Sequence, residues 1–263
     1  MMPRSLPAPA FSGCRRLTVA AIPVAFGLLA CAGEQAPSGP PTTGPELLEA
    51  AIRYHDPDDR WPRLRHTLVI DQSRPDGSER RAAIFVDAAS SDYRYEEDTA
   101  DGHLVKGTDG DECFSSVDGA APTEDQAARL RLDCANVRRM RNYYLYLWGL
   151  PMKLRDPGTN IDPAIGDAEF DGMATKTLRV TYDPGVGSDT WYFHFDPGTY
   201  RMVGYRFYHD EAAGDGEYIL LDGEREVTGM RIPVERRWFT NAGDRYLGTD
   251  VLVDDYPGAQ PGA

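Results

Sequence analysis

The chain has 263 residues, with 28 lysines and arginines against 42 aspartates and glutamates, which gives a formal net charge of −14. So acidic a chain is a poor partner for nucleic acid or for an anionic lipid surface. Its length allows one substantial domain with a core of its own.

The N-terminal segment has the pattern of an export signal. Arg15 and Arg16 precede an apolar run over residues 17–30. This run is shorter than the roughly 20 apolar residues that a membrane-spanning helix needs. A short apolar run behind positive charge is typical of a secretory signal peptide, and the sequence predicts one over residues 1–30.

The signal ends in a pattern that resembles a bacterial lipobox. Leu28-Leu29-Ala30-Cys31 carries small residues next to the cysteine. We therefore expect cleavage before Cys31 and a lipid on its sulfur that holds the mature protein to a membrane. The alternative is an ordinary signal peptide with an incidental cysteine. Ala32, rather than an aspartate, follows the cysteine, so the outer membrane is the expected destination.

Composition divides the rest of the chain. Residues 31–44 are rich in Pro, Gly, Ser and Thr, which predicts a flexible tether. Residues 45–256 are expected to form a single domain, and residues 257–263 a disordered tail. Loss of Arg4, Arg15 and Arg16 with the signal would leave a mature charge of 25 − 42 = −17.

The first half of the domain predicts a short helix followed by strands. Thr43-x-Pro45 begins a helix over residues 46–54, which Asp56-Pro57 ends. Alternating apolar and polar residues with Gly-containing turns then predict five strands. These strands lie at residues 64–70, 82–86, 93–97, 103–106 and 113–117.

The middle of the chain changes to a helical period. Thr123 and Gln126 have the spacing of a capping box. A longer helix follows, ended by Gly149-Leu150-Pro151. One apolar stripe is predicted on it, comprising Val137, Met140, Tyr143, Tyr144, Leu147 and Trp148. Leu145 and Tyr146 fall off that stripe.

The C-terminal half again alternates with period two. In its clearest strand, Trp191, Phe193 and Phe195 should face the core, and Tyr192 and His194 the other side. Further strands are expected near residues 177–182, 203–207, 218–221, 230–239 and 246–253. Regular short strands with turns between them predict an antiparallel meander.

These elements predict an α+β fold in which a strongly curved antiparallel sheet of about ten strands, or an incomplete β-barrel, is covered by the long helix. A helix that lines such a curve would leave either a plain core or a ligand cavity. The candidate cavity residues are Tyr143, Tyr144, Leu147, Trp148, Met152, Trp191, Phe193 and Phe195. For each aromatic alone, core packing is the simpler interpretation.

Two cysteines remain in the predicted domain, Cys113 and Cys134. In an exported protein such a pair is usually a disulfide, with two buried free thiols as the alternative. A bridge would tie a strand to the long helix.

Catalytic signals are weak. The chain lacks the Gly-rich nucleotide loops, the Gly-x-Ser-x-Gly elbow, Ser-x-x-Lys, His-Glu-x-x-His and Cys-x-x-Cys. We therefore expect no cofactor and no metal. Tyr208, His209, Asp210 and Glu211 form the densest set of possible ligands. A metal-binding or acid–base role is open to them, but a solvated strand end with acidic turn residues is favoured.

Several segments resemble a family of uncharacterised secreted bacterial lipoproteins. They are residues 55–57 (HDP), 60–62 (RWP), 141–159 (RNYYLYLWGLPMKLRDPGT), 189–196 (DTWYFHFD) and 203–211 (VGYRFYHDE). More distantly, the order of elements resembles the LolA/LolB-like lipoprotein carrier superfamily. That resemblance implies an incomplete barrel covered by helices, with an apolar cavity for acyl chains.

Three hypotheses for function follow. The leading one is a non-enzymatic lipoprotein that binds or carries a lipid-like or other apolar ligand. The second is a hydrolase or lyase that uses His209 and Asp210. The third is a structural or interaction lipoprotein with a filled core.

Overall fold

The computed structural model describes residues 39–259, which form one large antiparallel sheet and a set of helices. Three α-helices lie in this part of the chain: α1 (Gly44–His55), α2 (Glu124–Arg129) and α3 (Cys134–Gly149). The predicted capping box of Thr123 and Gln126 is present on α2, and Thr43 and Glu46 form a second one on α1 that was not predicted.

Thirteen strands make up the sheet. In chain order they are β1 (Arg65–Ser73), β2 (Glu79–Asp87), β3 (Asp92–Thr99), β4 (Gly102–Asp109), β5 (Glu112–Val117), β6 (Thr159–Ile161), β7 (Gly166–Phe170), β8 (Met173–Tyr182), β9 (Thr190–Phe195), β10 (Met202–Tyr208), β11 (Glu217–Val227), β12 (Met230–Thr240) and β13 (Tyr246–Pro257). The sequence predicted eleven of them. It missed the short strands β6 and β7, which have little alternation. β13 includes Pro257, where the sequence predicted that a disordered tail begins.

The strand order is β5-β4-β3-β2-β1-β13-β12-β11-β10-β9-β8-β6, and β7 also pairs with β8. Two meanders, β1 to β5 and β6 to β13, are therefore joined by the pairing of β1 with β13. The sheet does not close, because β5 and β6 stand at opposite ends of this order. The α+β fold with an open, curved antiparallel sheet is as predicted.

The long helix lies against strands of both meanders. Tyr144 stacks on Tyr93 of β3, with 5.9 Å between ring centroids, whereas Tyr146 meets Trp191 of β9 at 5.4 Å. Strands this far apart in the sheet order can contact one helix only if the sheet curves around it. The larger of two buried clusters includes residues of α1, α3 and the inward face of the sheet, and the smaller one comprises Phe170, Val203 and Leu220.

The segments that carry the family resemblance meet near the end of α3. The carboxylate of Asp56 accepts hydrogen bonds from the backbone N–H groups of Arg60 and Trp61, at 2.7 and 2.8 Å. A Cβ on Gly149 would lie 2.4 Å from the Trp61 ring, so only glycine allows this contact. His55 is buried, and its Nε2 accepts from the N–H of Met202 at 3.0 Å. These motif residues therefore hold the fold.

The strand β9 alternates as predicted. Phe193 and Phe195 are fully buried in the core, whereas His194 lies on the opposite face. His194 is nevertheless only 6% exposed, because Phe170 of β7 stacks on its ring with 3.9 Å between centroids. β7 thus covers the back of the C-terminal half of the sheet.

Candidate ligand-binding site

The start of α3 is fixed by two local features. Asp133 caps the helix by accepting the N–H of Asn136 at 2.9 Å. Cys134, the first helical residue, forms a disulfide with Cys113 of β5, with 5.6 Å between their Cα atoms. This distance lies within the usual disulfide range of roughly 4.4–6.8 Å. The bridge ties α3 to the edge strand, as the sequence predicted.

Most of the candidate cavity residues lie together where α3 packs on the sheet. Tyr144, Leu147, Trp148, Met152, Phe193 and Phe195 are each at most 6% exposed and belong to one continuous core. Trp191 is half-buried against the same core. Directly under the helix, the interior is therefore filled with side chains.

Tyr143 differs from the rest of this set. Its side chain leaves 36% of its surface in solvent while its ring stacks near Trp238 of β12. Burial of the hydroxyl end nonetheless raises its pKa well above the usual value. Tyr143 thus reaches from the surface into the interior.

Trp191 is contacted by a residue outside the predicted apolar stripe of α3. Tyr146, which the sequence placed off that stripe, meets Trp191 with 5.4 Å between ring centroids. Tyr144, which belongs to the stripe, faces Tyr93 and Tyr95 of β3. The helix is therefore buried on more than one side, because the curved sheet surrounds it.

A row of polar side chains crosses the sheet below the helix. Arg80, Gln72, Asp250 and Arg236 are direct cross-strand neighbours on β2, β1, β13 and β12. We call these four residues the polar row. Gln72 accepts a hydrogen bond from Arg80 and donates to Asp250 at 2.7 Å. All four occupy inward positions that alternate with the outward residues of their strands.

The inner end of the polar row is deeply buried. Arg236 is 3% exposed, its guanidinium carbon lies 4.0 Å from the Trp148 ring centroid, and burial lowers its pKa. It donates to the Pro233 carbonyl at 3.3 Å, while its Nε has no partner among the described residues. A buried charge held this way is costly, so the interior is not a simple apolar core.

An opening lies along each side of α3. The first, with a volume of about 200 Å³, contains five cationic residues and no carboxylate, and we call it the basic groove. It is lined by Arg80, Tyr93, Tyr95, Lys106, Arg129, Leu130, Arg131, Asn136, Arg139, Met140 and Tyr144. The second, of about 320 Å³, is lined by Ser91, Asn142, Leu145, Tyr146, Lys153, Asp156, Thr159, Tyr182 and Val186, and we call it the flank cleft.

Two further openings lie away from the helix. One, of about 380 Å³, lies at the end of the β1–β2 hairpin among charged side chains such as Asp71 and Arg81. These two are already paired with each other at 2.6 Å, and no aromatic residue lines the opening. The other, of about 350 Å³, lies on the back of the sheet between β7 and β10. Neither reaches α3.

The alternative catalytic residues do not converge on a cleft. His209 is exposed, and its Nδ1 lies 2.9 Å from Asp189, which raises the pKa of the imidazole. Asp210 accepts the N–H of Ala212 at 3.0 Å and so caps a short 3₁₀ helix. Glu211 accepts the Tyr192 hydroxyl at 2.5 Å. Each side chain has a local structural partner.

Within residues 39–259 there is no cluster of three or more His, Cys, Asp or Glu side chains that could hold a metal ion. Within the same range, no helix is long and apolar enough to cross a membrane. Cys31 and the predicted signal lie outside the described residues.

Sequence reasoning missed the polar row and the basic groove. A signal existed, since Gln72 follows Leu68 and Ile70 at alternate positions and Arg236 stands between Val234 and Trp238. A polar residue at an inward position of a strand is costly unless it has a partner or a function. Which of these residues adjoin each other depends on the pairing of strands far apart in sequence.

The architecture defines the class of protein. A LolA superfamily protein from Nitrosomonas europaea superposes with a TM-score of 0.51 at 12% identity, covering 84% of this chain and 96% of its own. A putative outer membrane lipoprotein-sorting protein domain from Vibrio parahaemolyticus gives a TM-score of 0.45 at 10% identity, covering 82% and 93%. The superposition on the Nitrosomonas europaea protein shows that the fold is LolA-like, as the order of elements predicted.

The family follows from the sequence itself. Residues 25–255 match DUF6503, a family of unknown function, and the chain belongs to it. The predicted resemblance to an uncharacterised family is confirmed. No curated protein matches this chain in sequence.

Proposed function

We propose that this protein is an exported, lipid-anchored lipoprotein that binds or carries a lipid-like or other apolar ligand beside α3. A lipid on Cys31 and the tether of residues 31–44 would hold the domain near the membrane. We propose no chemical reaction for this protein, so the molecule bound beside α3 is a ligand and not a substrate.

One observation carries this proposal: α3 lies in the curve of an open sheet and has an opening on each side. In the flank cleft, Leu145 and Tyr146 of the helix face Tyr182 of β8 and the exposed Val186. A concave site with aromatic and aliphatic walls and a few polar groups is the usual form of a small-molecule site. The resemblance to the carrier superfamily, which rests on the order of elements, likewise implies an apolar cavity for acyl chains.

The first test is whether a ligand accompanies the protein. The protein is purified from membranes, extracted with organic solvent, and the extract is analysed by mass spectrometry. We expect an amphiphile in amounts comparable to the protein. Its absence, together with no binding of a dansyl-labelled fatty acid, would contradict the proposal.

A matched pair of variants locates the binding. Val186 is 58% exposed at the rim of the flank cleft, so Val186→Trp should block the opening without disturbing the core. Met173 is 43% exposed and lies outside the cleft, which makes Met173→Trp the control. We expect dansyl fatty acid binding to weaken about tenfold in the first variant only, which is about 1.4 kcal/mol. Equal binding in both variants would exclude the flank cleft.

A second function, an interaction lipoprotein with a filled core, is favoured by the dense packing under α3. Tyr144, Trp148 and Phe193 leave at most 3% of their surface exposed. Such a protein would bind neither the fatty acid nor any extracted lipid, and Val186→Trp would change nothing. The two functions are thus separated by the same experiments.

The anchor has its own test. Cys31→Ser should leave an uncleaved or unlipidated precursor that no longer floats with membranes, and the wild-type protein should float with the outer membrane where the cell has one. Full membrane flotation of the variant would show that Cys31 is not the anchor.

A further inference from the structure

The basic groove is an exception in an acidic protein. The chain carries a net charge of −14, yet this groove is lined by five cationic side chains and by no carboxylate. They are Arg80, Lys106, Arg129, Arg131 and Arg139. Cations from β2, β4, α2, the turn before α3 and α3 itself meet in one opening, so no single element accounts for the cluster.

The nearest carboxylates already have partners. Asp101 accepts two hydrogen bonds from the guanidinium of Arg129. Glu97 accepts the hydroxyl of Tyr95 at 2.6 Å. Arg129 is thus paired with Asp101, while the carboxylate of Glu97 acts electrostatically on Arg80 and Lys106 without forming an ion pair with either.

Lys106 shows this most clearly. It is half-buried, and its ammonium lies 5.1 Å from the centroid of the Tyr95 ring. Burial lowers its pKa, against the opposing effect of Glu97. Desolvation is the largest of these effects, so the contact with Tyr95 and the charge of Glu97 offset only part of the cost of burying this ammonium.

The aromatic residues of the groove add polar groups. Tyr93 and Tyr144 both line the groove and are 1% exposed. Their hydroxyls make no hydrogen bond to another residue in the described part of the chain. Buried polar atoms are nearly always hydrogen-bonded in folded proteins, and exceptions call for an explanation.

Guanidinium, ammonium and phenol groups are the donors that recognise phosphate and carboxylate oxygens. The groove volume of about 200 Å³ suits a small polar group better than a whole ligand. Arg80 also begins the polar row, which continues under α3 toward Trp148. The groove is thus contiguous with the interior of the curve.

We propose that the basic groove binds the phosphate or carboxylate group of an anionic amphiphile. This deepens the proposed function, on which it rests, by assigning a charge to the ligand's head group. The same groups would also accept a free inorganic phosphate, and the experiment separates the two sources.

Binding to the purified full-length chain is measured by calorimetry with four probes: dodecyl phosphate, dodecanoate, dodecyl maltoside and inorganic phosphate. The three amphiphiles share one chain length and differ in head-group charge. We expect the two anionic amphiphiles to bind about tenfold more tightly than the maltoside. Lys106→Met and Arg139→Gln should each reduce this preference.

Two matched controls accompany the variants. Lys176→Met makes the same change on β8, where the lysine is paired with Asp167 at 2.6 Å outside the groove. Arg138→Gln makes the same change one residue earlier on α3, and Arg138 does not line the groove. Both controls should keep the preference for anionic head groups. Thermal unfolding of each variant verifies that it is folded.

The outcomes separate the two proposals. Equal binding of all three amphiphiles, unchanged by Lys106→Met, would overturn the anionic site and leave the apolar-ligand function standing. Binding of inorganic phosphate that depends on Lys106, without binding of any amphiphile, would support the anion site and overturn the apolar ligand. Failure of all four probes would overturn both.

Discussion

The two sides of α3 contact different kinds of side chain. Toward the C-terminal meander, Tyr146 packs on Trp191, which stacks on Phe207 with 4.7 Å between centroids. Toward the N-terminal meander, Tyr144 packs on Tyr93 and Tyr95. The other side chains on this side include the five cations of the basic groove, and no phenylalanine lines that groove. Aromatic rings thus predominate on the C-terminal side, where the flank cleft is also lined by Tyr146 and Tyr182.

This difference gives the two openings beside the helix different chemistry. Aromatic packing on the C-terminal side contributes stability through burial of apolar surface at about 25 cal/mol per Å². On the N-terminal side, buried hydroxyls without partners and half-buried cations oppose folding. Residues that lower stability and meet at an opening indicate a binding site.

The largest expected effect is at the filled centre. Trp148→Ala should lower the free energy of unfolding by about 3–5 kcal/mol, because it leaves a cavity in the core. It would also remove the ring on which Arg236 lies. Urea denaturation measures the change, with Tyr143→Ala, a partly exposed aromatic on the same helix, as the control expected to lose clearly less. A loss below about 1 kcal/mol would mean that the centre is loosely packed.

The disulfide sets the position of the groove wall. Removing it with Cys113→Ala and Cys134→Ala together should cost about 3 kcal/mol for a loop of this length in the chain-entropy model. The wild type treated with a reductant should match the double variant in urea denaturation, and the variant itself should not respond to the reductant. Equal stability of the oxidised wild type and the variant would show that the bridge does not restrain the chain.

The pH dependence tests the packing on the back of the C-terminal half. Burial lowers the pKa of His194 to about 4, and burial also lowers the pKa of His55. Both imidazoles are therefore neutral in the folded protein. Their contribution to the free energy of unfolding is complete above the unfolded pKa of about 6.5, and it is lost as the pH falls toward the folded pKa. For His194 alone, the loss between pH 7 and pH 5 should be about 2 kcal/mol.

His194→Gln should flatten this slope in urea denaturation at several pH values. His209→Gln is the control with the opposite sign, since Asp189 raises the pKa of His209 and its contribution is lost as pH rises. An unchanged slope in His194→Gln would mean that the imidazole is solvated and that β7 does not cover it.

The smallest effect is expected in the groove. Lys106→Met should leave the free energy of unfolding unchanged or raise it by up to about 1 kcal/mol, because a partly desolvated charge is removed. Thermal unfolding without ligand, compared with Lys176→Met, checks this. A clear loss of stability would assign Lys106 to the fold and weaken the argument for an anion site.

Several features were predictable because their signals are local. The capping boxes at Thr43 and Thr123 bind backbone groups within four residues of themselves, and the alternation from Trp191 to Phe195 reflects the pleat of a single strand. The strand β7 escaped prediction because its burial depends on Phe170 meeting His194 and on the space that Gly204 leaves beside it.

The sequence by itself determined the fold class, the long helix, the faces of most strands and the pairing of Cys113 with Cys134, since periodicity, caps and composition are properties of short segments. Only the tertiary structure decided what lies next to what. Gln72 meets Asp250 through the pairing of strands at opposite ends of the domain, and Lys106 meets Arg139 only when α3 lies over β4. The curvature of the sheet is a sum over many strands, so the residues that line the two openings beside the helix cannot be inferred from any one strand.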